Sequence, residues 1–147
     1  MEIKIRTATL NDMEAVHQLV NELAIYEKEP DAFIAPLSAY QQDFKNGIFE
    51  VQLAEAAGKI IGMVFYYMAY STWKGRMLYL EDFVVAEEYR GKGVGQMLFD
   101  QFIQTAREKN CVMVKWQVLD WNEPAINFYE KNEATIEKGW YNVKIIF

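Results

Sequence analysis

Leu78-Tyr79-Leu80-Glu81-Asp82-Phe83-Val84-Val85 is followed, two residues later, by Glu88-Tyr89-Arg90-Gly91-Lys92-Gly93-Val94-Gly95. The first segment reads as a strand, and the second as a glycine-rich turn feeding a helix. Val94, Leu98, Phe102 and Ala106 then recur at helical spacing, with Met97 and Ile103 broadening the stripe. A helix facing a sheet therefore runs to about residue 110. Glycines at 91, 93 and 95 strip Cβ atoms from the junction and permit close approach by a ligand. The first N–H groups of the helix lack intrahelical partners and point at whatever sits above them. Residues 78–110 thus form a cradle for a phosphate-bearing ligand. Phe83, Val84 and Val85 lie beside it, and Arg90, Gly91, Lys92, Gly93, Val94 and Gly95 surround it. Arg90 and Lys92 either add positive charge to that cradle or face solvent.

Upstream, Ile3 and Ile5 alternate with polar residues, predicting a strand over residues 2–7. Asn11 and Glu14 form a candidate capping box, and Val16, Leu19, Val20 and Leu23 give one apolar face to a helix over residues 12–26. A proline-bearing loop over 27–36 precedes a second helix at 38–46, ended by Gly47. Strands at 48–55, 59–70 and 76–85 are joined too tightly for crossover helices and read as an antiparallel meander. Downstream, a strand at 111–119 can pair in parallel through the preceding helix. A helix at 123–131 carries Pro124 in its first turn, and short strands are expected at 134–137 and 141–147. The order βααβββαβαββ predicts an α/β fold, a mixed, mostly antiparallel central sheet flanked by helices, in a single domain over residues 1–147.

Composition narrows the function. The 147 residues are 52% hydrophobic and 15% aromatic, enough for one core without disulfides or a structural metal. No apolar run reaches the ~18 residues of a membrane span, and the start lacks the pattern of a secretory signal. Cys111 is the one cysteine, which fits a reducing, cytoplasmic setting. A formal charge of −6 disfavours nucleic acid and attracts cationic small molecules. His17, the one histidine, lies beside the first helix's apolar stripe with no ligand pattern, so no metal site is expected.

Two glycine motifs fit poorly. A P-loop needs Lys and then Ser or Thr after its last glycine, and Gly93 is followed by Val94. A dinucleotide fold places its glycine turn after the first strand of a parallel sheet, whereas this turn follows an antiparallel meander. Arg90-Gly91-Lys92-Gly93-Val94-Gly95 instead resembles the Q/R-x-x-G-x-G/A pyrophosphate motif of the GCN5-related N-acetyltransferases. The strand Leu78 to Phe83 and the segment Trp121-Asn122-Glu123-Pro124-Ala125-Ile126-Asn127-Phe128-Tyr129 look like those of the spermidine/spermine N-acetyltransferase family and its thialysine-acetylating relatives. The resemblance spans most of the chain and implies acetyl-coenzyme A as co-substrate. It also implies that Asn122, Ala125 and Phe128 help bind that carrier, and that the protein is a homodimer.

Amine acetylation sets two proton problems. A primary amine is nucleophilic only when neutral, yet its pKa in water is about 10, so a carboxylate near the amine has work as electrostatic anchor and proton acceptor. Simple alternation puts Tyr79, Glu81, Phe83 and Val85 on one face and Leu80, Asp82 and Val84 on the other. The two carboxylates then point to opposite sides. Glu81 aligns with the glutamate that the family uses on the amine, and Asp82 supports the fold or the amine pocket. The departing thiolate needs a proton or a donor, a role the resemblance assigns to Tyr129. Tyr129 is displaced by about 100° from Phe128, so one ring can pack while the other faces the thioester. Tyr26 and Glu27, by resemblance, border the acceptor channel. Trp73 and Trp121 are large aromatics that either wall that channel or anchor loops.

The chain departs from the family where Lys131-Asn132-Glu133-Ala134 replaces the usual glycine-containing helix end, so Asn132 or Glu133 must stop the helix. The expected activity is acetyl transfer to a primary amine of a small cationic acceptor, a polyamine first and thialysine or another lysine-like amino acid second. A non-catalytic acyl-coenzyme A-binding regulator is the reading from a different class. Neither nucleic acid nor membrane is an expected partner.

Overall fold

The computed structural model describes residues 1–147 and divides into two compact units, Met1–Gln117 and Val118–Phe147. In the first unit, β1 (Lys4–Thr7) leads into α1 (Met13–Tyr26) and α2 (Leu37–Lys45). The meander β2 (Glu50–Ala56), β3 (Lys59–Ser71) and β4 (Gly75–Val85) follows, then α3 (Val94–Glu108) and β5 (Met113–Trp116). The sheet order is β1-β2-β3-β4-β5, antiparallel throughout except for the parallel β4–β5 pair. This is the expected mixed sheet with its one crossover helix.

Each face of the sheet buries one amphipathic layer. Val94, Leu98, Phe102 and Ala106 of α3, the predicted stripe, pack on Ala54, Ile61, Val64, Tyr66, Leu78 and Leu80. Met97 does not widen that stripe, being 40% exposed. Phe99 does, stacking on Phe83 at 6.2 Å and meeting Trp116 edge-on at 5.7 Å. On the opposite face Met13, Val16 and Leu19 of α1 cover Val51, Leu53, Met63 and Val84. No helix is long and apolar enough to cross a membrane.

A single 3-10 turn, Leu10–Asp12, leads into α1, and the capping box is Thr9 with Asp12 at the start of that turn, not Asn11 with Glu14. The Thr9 N–H donates to Asp12 Oδ2 at 2.7 Å, and Asp12 N–H donates to the Thr9 carbonyl at 3.0 Å. Asp12 also takes a forked pair of bonds from Arg6, both at 2.8 Å, which ties β1 to the helix entry. That guanidinium holds the Asp12 carboxyl down at about 2.

The second unit contains α4 (Glu123–Lys131), with the predicted bounds. Asn122 caps it by accepting the Ala125 N–H at 3.3 Å. Its far end is closed by Glu133 at φ +66°, the left-handed position that glycine usually holds. There the Ala134 N–H reaches the Tyr129 carbonyl at 3.0 Å, and Asn132 Nδ2 donates to the Phe128 carbonyl at 2.8 Å. The two strands expected at 134–137 and 141–147 do not form. Those residues are without regular structure and largely exposed, because a strand exists only where a neighbour completes its ladder.

Candidate active site

The site in the first unit is organised by an irregularity in β4. Opposite β3, Phe65 pairs with Asp82 but Tyr66 pairs with Leu80, so Glu81 is an extra, unpaired residue. Such a bulge reverses the side-chain alternation. Before it, Leu78 and Leu80 face α3, and after it Phe83 and Val85 face α3 while Val84 faces α1. Simple alternation therefore fails here, and the two carboxylates are not on opposite sides. Both Glu81 and Asp82 act on Tyr40, which packs within the α1/α2 layer. Burial and the charge of Glu81 also push the Tyr67 phenol up.

Aromatic side chains surround this acidic pair. Tyr67 stacks on Tyr79 at 5.4 Å, and Tyr40 meets Phe65 edge-on at 6.1 Å. Burial and the two carboxylates push the Tyr40 phenol up to about 12. Burial, then repulsion from Glu81 and Glu27, pushes the Asp82 carboxyl up to about 7. Glu27, half-buried at the end of α1, is itself raised by burial. The structure thus brings Glu27, Glu81 and Asp82 into one electrostatic group. Tyr40 and Tyr79 belong to its surroundings although no motif marked them. Tyr66 and Tyr67 divide as neighbours on a strand should, with Tyr66 in the α3-face core and Tyr67 on the α1 face beside Glu81.

β5 pairs with β4 only from Met77 to Leu80. On that side the ladder ends before Glu81. At the turn, Gly91 and Gly93 take φ +74° and +83°, and nothing lies within 4 Å of where a Cβ would project. Gly93 caps α3, whose first intrahelical bond is Met97 N–H to Gly93 O at 3.1 Å. The N–H groups of Val94 and Gly95 precede that bond and carry the positive end of the helix dipole. Open space above glycines, donors and a dipole together fit a pyrophosphate. Arg90 folds inward, its Nε donating to the Val85 carbonyl at 2.9 Å and its guanidinium lying 5.1 Å from the Tyr26 ring centre. Lys92 lies 5.6 Å from the Tyr89 ring. Tyr26 accordingly belongs with the glycine turn, whereas its neighbour Glu27 belongs with Asp82.

Trp73 stands elsewhere. It is 90% exposed at the β3–β4 hairpin tip, and Gly75 lies six residue steps from Glu81 along β4, roughly 20 Å of extended chain. In the second unit Asn122 caps α4, Trp121 is exposed just before it, and Phe128 meets Tyr129 edge-on at 5.8 Å. Tyr129 is buried. Cys111 is half-buried against the α3 layer and is a free thiol.

Residues 13–133 match the sequence profile of the acetyltransferase (GNAT) family. The chain is 34% identical to the thialysine N-epsilon-acetyltransferase of Bos taurus, over 95% of this chain and 89% of that protein. It is 32% identical to the human spermidine/spermine N(1)-acetyltransferase-like protein 1, over 94% of this chain but 22% of that longer protein. In fold it superposes on an aminoglycoside acetyltransferase from an uncultured soil sample with a TM-score of 0.82, covering 99% of this chain and all of that one. At 16% identity that likeness speaks for the fold alone.

Proposed function

The chain belongs to the acetyltransferase (GNAT) family, and we propose that it transfers an acetyl group to a terminal primary amine of a small linear cation. As a family member it is an N-acetyltransferase with acetyl-coenzyme A as co-substrate, which supplies an activated acetyl thioester when bound. The observation that carries the acceptor class is the group of Glu27, Glu81 and Asp82, three carboxylates that act on one another and on the neighbouring Tyr40, Tyr67 and Tyr79. It favours an acceptor with more than one positive charge, such as a polyamine. A lysine-like amino acid is the second reading, favoured by a 34% identical relative named for thialysine.

Gly91, Gly93, Val94 and Gly95 hold the pyrophosphate on backbone N–H groups, with Arg90 and Lys92 nearby. Phe83, Val84 and Val85 line the pantetheine side, and Asn122, Ala125 and Phe128 complete carrier binding in this reading. One carboxylate of the pair, Glu81 by family resemblance or its raised neighbour Asp82, accepts the ammonium proton, directly or through water. Nitrogen then bonds to the carbonyl carbon as the carbon–sulfur bond breaks. Tyr129 donates its hydroxyl proton to the departing sulfur, so that the products are an amide and a thiol. Holding both reactants together makes a covalent enzyme intermediate unnecessary. A homodimer belongs to the same reading. So does a cytoplasmic setting, which a free, half-buried Cys111 suits.

Thiol release from acetyl-coenzyme A, measured against spermidine, thialysine, ornithine and a short peptide, tests this. Saturable release with spermidine supports the polyamine reading, and release with thialysine alone supports the second. Binding of acetyl-coenzyme A without release to any amine overturns both and leaves a regulator. Tyr129→Phe should bind the carrier normally but lose about ten-fold or more in kcat. Unchanged kcat would remove Tyr129 from the reaction. Glu81→Gln separates the two carboxylates. If Asp82 is the acceptor of the proton, removing its anionic neighbour moves the acidic limb of the pH profile downward. If Glu81 is the acceptor, the rate falls and the profile moves upward.

A further inference from the structure

His17, the one histidine in the chain, stands where three segments meet. From α1 its Nε2 donates to the Ala35 carbonyl at 2.8 Å, two residues before α2 begins. A carbonyl only accepts, so this bond also decides which ring nitrogen carries the proton. The imidazole lies 4.7 Å from the Phe33 ring and meets Tyr40 of α2 edge-on at 5.0 Å. Phe33 and Tyr40 also meet edge-on, at 6.4 Å, which closes a triangle of half-buried rings.

Tyr40 carries that triangle to the acidic pair. Its ring meets Phe65 edge-on at 6.1 Å, and Phe65 is the ladder partner of Asp82 across β3 and β4. Glu81, beside Asp82 at the bulge, acts on the Tyr40 phenol together with it. The helix that presents Tyr40 is weakly held. α2 has nine residues, none of them fully buried, and a helix this short does not persist without outside contacts. Its place therefore depends on half-buried rings and on the tie at Ala35.

We propose that Tyr40 contacts the amine acceptor, and that His17 is the positioning residue that holds Tyr40 beside Glu81 and Asp82. This deepens the acceptor reading above and rests on it. An ammonium group over an aromatic ring is attracted by the ring's quadrupole, and carboxylates beside that ring attract the same cation. Burial and the two carboxylates push the Tyr40 phenol up to about 12, so it stays neutral and keeps a hydroxyl to donate. A linear polyamine offers both parts, methylenes for the ring and ammonium groups for the carboxylates. His17 works at one remove. Loss of its N–H frees Ala35 and the entry of α2, and loss of its ring removes the edge that seats Tyr40.

Initial rates on the full chain, with spermidine varied and acetyl-coenzyme A saturating and then the reverse, test this. Tyr40→Leu should raise the KM for spermidine about ten-fold and leave the KM for the carrier within about two-fold. Tyr40→Phe, which keeps the ring, should stay much closer to wild type. His17→Ala should raise the spermidine KM by roughly five-fold, and His17→Gln, whose amide can still reach Ala35, should recover part of that loss. Because His17 acts through Tyr40, His17→Ala should add less than about two-fold in the Tyr40→Leu background. Equal effects of His17→Ala in both backgrounds overturn the positioning role and leave a structural one. An unchanged spermidine KM in Tyr40→Leu, or a carrier KM that rises equally, overturns the Tyr40 contact. Hydrogen exchange at residues 35–40 should quicken by about ten-fold in His17→Ala, and unchanged exchange overturns the clasp. A wild type that acetylates no amine overturns the acceptor reading and the Tyr40 contact together, while exchange still judges the clasp. Wild-type turnover with Tyr40→Leu unaffected overturns this inference alone.

Discussion

Asp82 is surrounded by two like charges and half removed from water, and the sign of its effect on stability follows. Its carboxyl titrates near 7 in the folded protein and near 4 when unfolded. Below pH 4 both states hold the proton, and Asp82 has no effect. As pH rises towards 7 the unfolded chain loses the proton first, so the folded state is progressively disfavoured, and the penalty is complete above 7. Asp82→Asn removes this titration. It should stabilise the protein by about 1–2 kcal/mol at pH 8, allowing for screening by solvent, and hardly at all at pH 4. Thermal melts at the two pH values check this, with a gain of about 3–6 °C expected only at the higher. An equal gain at both would mean that packing, not charge, is what the substitution changes. A half-buried carboxylate held at a stability cost beside two others is the kind of compromise found at functional sites.

At the scale of elements, β3, β4 and α3 are locked together by Gly62. A Cβ there would lie 3.0 Å from the Val84 carbonyl oxygen and 3.1 Å from Leu98 Cδ1. Gly62→Ala should therefore push α3 away from the sheet and cost about 1–3 kcal/mol. A lower urea midpoint with unchanged slope would show it, and weaker acetyl-coenzyme A binding should accompany it, because α3 carries the glycine cap. Most of this framework was legible in the sequence. The four-residue stripe of α3 and the turn chemistry of Gly91 and Gly93 are local signals. The reversal at Glu81 was not legible, because a bulge arises from the register against β3 and no residue type announces it. The Thr9–Asp12 cap was hidden for a related reason, since Asp12 is fixed as much by Arg6 on β1 as by its own turn. Residues 141–147 carry a strand pattern but take no regular structure, since alternation alone does not supply the ladder that makes a strand.

For the molecule as a whole, the field of a chain with net charge −6 treats its two substrates oppositely. A cationic amine is drawn towards the protein and concentrated at Glu27, Glu81 and Asp82, while the polyanionic carrier must approach against repulsion to reach the short positive region at Arg90, Lys92 and the start of α3. Added salt screens both effects, with a Debye length of about 8 Å at 0.15 M and about 3 Å at 1 M. Raising NaCl from 20 to 500 mM should therefore lower kcat/KM for the amine by several-fold and leave unchanged, or raise, kcat/KM for acetyl-coenzyme A. Initial rates with one substrate saturating and the other varied separate the two. If the local positive patch governs carrier binding, both parameters will fall together with salt, and the overall field will not be what guides the carrier. Divergence of the two would place substrate selection partly in the charge of the whole surface, with the carboxylate group at the β4 bulge as its focus.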